Sequence, residues 1–324
     1  MHRWPPPIGG CGRNCCRDAP GSGIRSGGDS SRHRTVSELQ SASVGVCALG
    51  GGHGLATSLR AVRSYADHVT AVVSIADDGG SSGRIRSAMG GPAPGDLRRC
   101  FEALGDASML TAEMGWRFDG GELAGHALGN LVIAGLVAAS DDLVSALDEV
   151  GRLVGAVGRV LPATSVPVDL VADTGEWEVE GQVAVHRAVG VVGLRLSPID
   201  ATAPPETVSA IEDADQIVLG PGSFFTSVLA ATLSADVQGA LARRSGPLVL
   251  VANLAQDREG PVELADHLRL LDEHGVRPDV LLVDDHSDRT LPIGPEVVRA
   301  PLAGRNGRVH DPVQLGSALA SCLG

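Results

Sequence analysis

The sequence predicts an α/β fold: a Rossmann-like three-layer sandwich around a mostly parallel sheet, with a small antiparallel β insertion. Three observations carry this prediction. Apolar runs alternate with stretches of helical period, which implies right-handed crossovers between parallel strands. Glycine-rich junctions recur where a strand hands over to a helix, at Gly50–Gly54, Ala76–Gly83 and Gly220–Ser223. Between Val166 and Leu196 the rhythm breaks into short runs separated by turn residues, the mark of antiparallel hairpins.

Residues 1–40 are rich in Pro, Gly, Ser and Arg and show no apolar period, which reads as a disordered tail or a start codon placed too early. They also lack the apolar stretch of a signal peptide. A single domain is therefore expected over residues 41–324, with the β-rich insertion at about 164–198. Its first strand is Val44–Leu49, followed by an amphipathic helix Leu55–Tyr65 and a second strand Val69–Ile75. Gly95–Leu104 reads as a helix because Pro94-Gly95-Asp96 precedes Leu97, Phe101 and Leu104 at helical spacing. A short helix is expected at Thr111–Phe118. Ala127–Ala139 is apolar nearly all round, the pattern of a buried helix, and Asp141 and Asp142 open another through Leu153.

Within the insertion, Val166–Ala172 and Trp177–Gly181 flank the turn Asp173-Thr174-Gly175-Glu176 as a hairpin. Gln182–His186 and Val189–Leu196 add further strands. The α/β rhythm resumes with strand Gln216–Leu219, helix Phe224–Leu233, strand Leu248–Ala252, helix Val262–His274 and strand Val280–Val283. Leu315–Leu323 closes the chain as a helix.

Composition narrows the chemistry. Hydrophobic residues make up 43% but aromatics only 2%, so the core is built from Val, Leu, Ala and Ile. All 26 cationic side chains are arginine, a bias attributed to genomic base composition. Without lysine there is no Walker A lysine, no Schiff base and no lysine general base. A formal net charge of −13 argues against a nucleic-acid polymer as partner. The arginines cluster locally, at Arg84 and Arg86 and at Arg98-Arg99, which suits a small anion. No apolar run approaches the length of a membrane span. Cys11, Cys15, Cys16, Cys47, Cys100 and Cys322 form neither a zinc set nor a disulfide framework, which points to a reducing cytoplasm.

The junctions are where a ligand would sit. In a parallel sheet the loops after the first and second strands leave the same carboxyl edge. Gly51, Gly52 and Gly54 let backbone N–H groups approach an anion at a helix N-terminus. The loop fails the dinucleotide pattern, since the sixth position from Gly50 is Leu55 and from Gly52 is Thr57. His53 is either a donor to phosphate or an exposed loop residue. In the second loop, Asp77 and Asp78 precede Gly79-Gly80-Ser81-Ser82-Gly83 and stand near where a Rossmann acid contacts a ribose. Neighbours on an extended chain point opposite ways, so one faces the ligand. The other caps the turn or binds a metal through water; the bland alternative is an Asx turn. Gly222 and Ser223 offer a further anion cradle. His126 and Asn130, four apart, share a helix face and serve either packing or ligand contact. Arg84 supplies positive charge, and Gly95 and Asp96 open an anion-friendly turn.

Five motifs occur in order: Gly-Gly-Gly-His-Gly-Leu from Gly50, Ala-Asp-Asp-Gly-Gly-Ser-Ser-Gly-Arg from Ala76, Pro-Gly-Asp-Leu-Arg from Pro94, Gly-His-Ala-Leu-Gly-Asn from Gly125 and Leu-Gly-Pro-Gly-Ser-Phe-Phe-Thr-Ser from Leu219. From about Val44 to its end, the chain resembles the putative gluconeogenesis factor family, relatives of the 2-phospho-L-lactate transferases of deazaflavin cofactor synthesis. The resemblance implies a nucleotide-sugar binder, with UDP-N-acetylglucosamine as expected ligand, supporting cell shape and wall synthesis during gluconeogenic growth. The transferase relatives use magnesium and a guanylylated phospholactate donor, with an aspartate in the second loop near the deazaflavin acceptor; Asp77 or Asp78 matches that position. Gly79-Gly80-Ser81-Ser82-Gly83 resembles the regulatory branch instead. His53 stands where the wider family often has threonine.

The reading is thus a cytoplasmic, non-catalytic regulator that binds a nucleotide sugar, with no catalytic residue assigned. A homo-oligomer and a protein partner that reads the bound ligand are compatible with it. The alternative is a magnesium-dependent transferase of a phosphorylated group. NAD-linked redox chemistry is disfavoured by the failed fingerprint.

Overall fold

The computed structural model describes residues 43–140, 142–256, 259–261 and 263–323. The expected tail and the cysteines Cys11, Cys15 and Cys16 lie outside them. In chain order, β1 (Gly45–Gly50), α1 (Gly52–Val62), β2 (His68–Val73), α2 (Gly80–Met89) and α3 (Pro94–Leu104) form the first stretch. Then come α4 (Met109–Glu113), α5 (Leu128–Ala139), α6 (Leu143–Leu153) and β3 (Arg159–Pro162). The insertion contributes β4 (Asp169–Asp173), β5 (Glu178–Glu180), α7 (Gln182–Arg187) and β6 (Gly193–Ser197). After it run α8 (Pro205–Glu212), β7 (Gln216–Leu219), α9 (Ala235–Arg243) and β8 (Leu248–Val251). The last elements are α10 (Leu264–Glu273), β9 (Val280–Asp284), β10 (Glu296–Ala300) and α11 (Pro312–Ser321).

Seven strands make one sheet in the order β10-β9-β8-β7-β1-β2-β3, every pair parallel. The chain begins at the middle, winds out through β2 and β3, and returns to β7 beside β1 before winding the other way. This is the doubly wound Rossmann-like plan, and the β1/β7 boundary is its switch point. Every residue of β7, β8 and β9 is buried, as parallel strands covered on both faces require. Helix α1 packs between α3 and α11, and α8 packs against α9. The core is aliphatic, with Phe101 and Phe225 among its largest buried side chains.

Where the sheet ends, polar groups replace packing. Asp284, at the end of β9, accepts the backbone N–H groups of Leu302 at 2.8 Å and of Ala303 and His286 at 3.0 Å. Burial alone would raise its pKa, but these donors outweigh burial and hold it below the ordinary aspartate range. A depressed carboxyl binds fewer protons folded than unfolded. Its contribution is therefore complete above the ordinary aspartate value of about 3.9 and lost as pH falls through the lower folded value. Asp284→Asn is expected to cost about 1–3 kcal/mol at neutral pH. It should also flatten the acid limb of stability, measured by urea unfolding across acid pH.

The small sheet has the order β5-β4-β6 and is antiparallel, as expected for the insertion. Gln182–Arg187, however, is a helix and not a strand. Gly181, at φ +97°, turns the chain out of β5, and Asp78 Oδ1 accepts the Val183 N–H at 2.8 Å, capping the first turn from a distant loop. That cap overrides the alternating Val-Ala-Val pattern. Helix α5 also departs from expectation: only Gly129, Asn130 and Ile133 are buried, because α2, α3 and α6 cover one side of it. Phe224–Leu229 is a wide π-helical segment followed by a tight 3-10 turn at Ala230–Thr232, not a regular helix. Among the described residues no single helix is long and apolar enough to cross a membrane.

Candidate functional site

The loops after β1 and β7 leave the sheet side by side, and the space they leave is a cleft of about 580 Å³. Gly51, Gly52, His53 and Gly54 form its floor at the start of α1. Asp77, Gly79, Gly80, Ser81 and Ser82 line it from the β2 loop and the first turn of α2. Gly95 and Asp96 enter from α3, Asn130 from α5, and Gly222 and Ser223 from the β7 loop. The two switch-point loops touch so closely that a β-carbon on Gly54 would stand 1.9 Å from the Pro221 carbonyl oxygen.

The adjacent aspartates part company. Asp77 lines the cleft, with its Oδ1 accepting the Gly79 N–H at 2.9 Å. Asp78 turns away to cap α7. Arg84 also points elsewhere: its guanidinium donates to the Ala124 carbonyl at 2.8 Å, and it lines a separate hollow with Asp78 and Asp169. His126 stays behind the wall, its Nδ1 3.0 Å from Ser81 Oγ. Asp78→Ala is expected to loosen the insertion by about 1 kcal/mol, the worth of a helix cap. The readout is faster amide exchange through α7; unchanged exchange there would show that the cap contributes nothing.

A polar chain runs through the cleft wall. Asn130 Nδ2 donates to Ser81 Oγ at 3.0 Å, and Arg98 Nε donates to Asn130 Oδ1 at 3.0 Å. The same guanidinium is paired with Glu102. Burial, with the charges of Arg84 and Arg117, pushes the His126 pKa down, and its Nδ1 shares a 3.0 Å hydrogen bond with the Ser81 hydroxyl. His126 precedes the N-cap of α5 and so shares no helix face with Asn130; the two side chains meet at the Ser81 hydroxyl.

Sequence reasoning left Arg98, Arg99, Arg117, Gln182, His186, Arg187, Thr226 and Ser227 out of the site, and the cleft includes them all. Arg98-Arg99 was visible as a cluster, whereas Arg187 and His186 depend on α7 being a helix. Asp96 is buried; it accepts the Gly52 N–H and is bonded by Arg99 at 2.6 Å. Burial pushes its pKa up, Arg99 opposes the rise and neighbouring Asp77 adds to it. His53 is shifted down, by burial first and then by Arg99 and Arg98. The β7 loop is held by Asn253, whose Nδ2 donates to the Gly222 carbonyl at 2.8 Å while its Oδ1 accepts the Gly222 N–H at 3.0 Å. That N–H thus serves the loop.

Arginines, helix starts and the carboxylates of Asp77 and Asp96 line the cleft together, with Asp96 bonded to Arg99, and this set can hold an anion bearing hydroxyls. Asp77 and Asp96 are the carboxylates that could share a magnesium ion with ligand phosphates and water. The one set of three metal-capable side chains found together among the described residues, Asp284, Asp285 and His286, lies outside the cleft lining.

A doubly wound parallel sheet with such a cleft at its switch point defines a Rossmann-like ligand-binding architecture. The family model described as "2-phospho-L-lactate transferase CofD" matches residues 46–293. A Mycobacterium leprae protein called "Putative gluconeogenesis factor" is 40% identical over 307 residues, covering 85% of this chain and 84% of that protein. A Deinococcus radiodurans protein of the same description is 36% identical, over 85% of this chain and 65% of that protein. The crystal structure of a UPF0052 family member from Bacillus halodurans superposes with a TM-score of 0.80 at 28% identity, covering 86% of this chain and 99% of that one. The chain belongs to the CofD family, among its gluconeogenesis factor members.

Proposed function

We propose that the protein is a cytoplasmic regulator that binds a nucleotide sugar of the UDP-N-acetylglucosamine kind and links it to gluconeogenic growth, cell shape and wall synthesis. The observation that supports this most is the convergence of three glycine junctions on one cleft walled by Arg98, Arg99, Arg117 and Arg187. The loops after β1 and β7 seat the diphosphate, and the arginines neutralise it in the role first given to Arg84. Asp77 and Asp96 receive hydroxyls. Isothermal titration of the folded protein with UDP-sugars tests the reading, with micromolar to millimolar binding as the expected result. A folded protein that binds no UDP-sugar at millimolar concentration would sink it.

The Asp77–Asp96 pair favours a second reading, magnesium-dependent transfer of a phosphorylated group. Turnover of a guanylylated donor only when magnesium is present would support it; no turnover with a ligand-competent protein would remove it. A thermal-shift panel of nucleotide sugars and dinucleotides, with and without magnesium, separates the readings, because a ligand selective for the native state raises the melting temperature.

A further inference from the structure

Helix α7 carries into the cleft a histidine that neither the glycine loops nor the aspartates account for. His186 lines the main cleft and also a neighbouring hollow of about 370 Å³ that shares His53, Gly54, Gly222 and Ser223 with it. About half of its side chain, 50%, is open to solvent, while the Glu259 side chain beside it is fully enclosed at 0%. His186 Nδ1 lies 2.8 Å from Glu259 Oε2. The other oxygen of Glu259 accepts the Thr226 N–H at 2.9 Å and the Thr226 hydroxyl at 2.8 Å. These contacts pin α7 at both ends, since Asp78 already holds its first turn.

With Glu259 as a carboxylate, which can only accept, the hydrogen between the two side chains lies on Nδ1. In the neutral ring Nε2 is then a bare lone pair, and it sits on the ring edge turned away from Glu259. The cleft already has arginines for phosphate oxygens, which are themselves acceptors and find nothing in a second lone pair. A ligand O–H does.

We infer that His186 is a specificity-determining residue whose Nε2 accepts a hydrogen bond from a hydroxyl of a phosphorylated polyol, and that Glu259 is the positioning residue that fixes its tautomer. The inference rests on the reading of the cleft as a nucleotide-sugar site. The hydroxyl belongs either to the ribose of the nucleotide or to the appended sugar, which offer the same chemistry to the same nitrogen.

The test uses the full chain and three probes: inorganic pyrophosphate, UDP and UDP-N-acetylglucosamine, titrated into wild type, His186→Ala and Glu259→Gln, with circular dichroism as the check on folding. His186→Ala is expected to weaken the nucleotide sugar about five- to tenfold, the scale of one hydrogen bond, and to leave pyrophosphate unchanged. UDP unchanged places the hydroxyl on the appended sugar; UDP weakened by the same factor places it on the ribose. Nitrogen NMR of the labelled wild type should show the Nδ1–H tautomer at His186, and Glu259→Gln should mix the tautomers, which a merely structural glutamate would not do. Unchanged nucleotide-sugar affinity in folded His186→Ala, weakened pyrophosphate, or an Nε2–H tautomer in wild type would each overturn the inference while leaving the nucleotide-sugar reading in place. Wild type that binds none of the probes overturns that reading, and this one with it. Should Glu259→Gln not fold, the His186→Ala titrations and the wild-type tautomer decide.

Discussion

Gly54→Ala is expected to cost roughly 3 kcal/mol or more in folding stability, at the upper end of overpacking effects, and to abolish binding in the cleft. The added β-carbon would stand 1.9 Å from the Pro221 carbonyl oxygen, 2.6 Å from its carbon and 3.1 Å from Gly222 Cα. All three are backbone atoms, so no side chain can rotate away to make room. The start of α1 has to back off from the β7 loop. That movement breaks the 2.6 Å hydrogen bond from Ser58 Oγ to the Gly220 carbonyl and opens the floor of the cleft. Gly135 supplies the control. It lies in α5 with nothing within 4 Å of an added β-carbon, so Gly135→Ala should be neutral or stabilise by up to about 1 kcal/mol. Urea unfolding of both variants reads the difference, and equal stabilities would contradict the close approach at Gly54.

The second large effect is expected at Arg98, where Arg98→Met should cost about 3–5 kcal/mol, the scale for breaking a buried charge pair. Arg98 is buried, and burial pulls its pKa down against the pairing with Glu102. Removing the guanidinium leaves Glu102 without its partner and frees the Asn130 amide that aims at Ser81. Stability and ligand affinity should therefore fall together. Arg98→Lys restores the charge but not the fork, so it should recover part of the stability and little of the affinity. A lysine variant with full affinity would show that the charge alone matters.

Much of the fold was legible because its signals are local. A glycine cluster at a strand end needs only a few neighbouring residues to be recognised, and the main-sheet strands announce themselves as unbroken apolar runs. The alternation of side chains along an extended segment also anticipated that Asp77 and Asp78 would part, as they do at the cleft edge and at the α7 cap. What local pattern could not reveal depends on distant partners. Residues 182–186 alternate like a strand, yet Asp78, 105 positions from Val183, caps them as a helix. His186 and Glu259 are 73 positions apart and meet only when the insertion folds over the β7 loop. Helix α5 was misread for the opposite reason, since an apolar composition does not say how many neighbours will cover it.

The switch point has a kinetic consequence. Strand β1 pairs with β7 across a long stretch of chain: Gly45 and Asp215, whose contact opens that pairing, are 170 positions apart. Until that closure happens the two loops of the cleft are strangers, and neither half of the chain carries the whole cleft. Long-range closures of this kind come at a high entropic cost and tend to set folding speed. A ligand that recognises only the closed seam cannot hurry its formation. It acts instead as a latch, slowing the rate at which the finished protein comes apart.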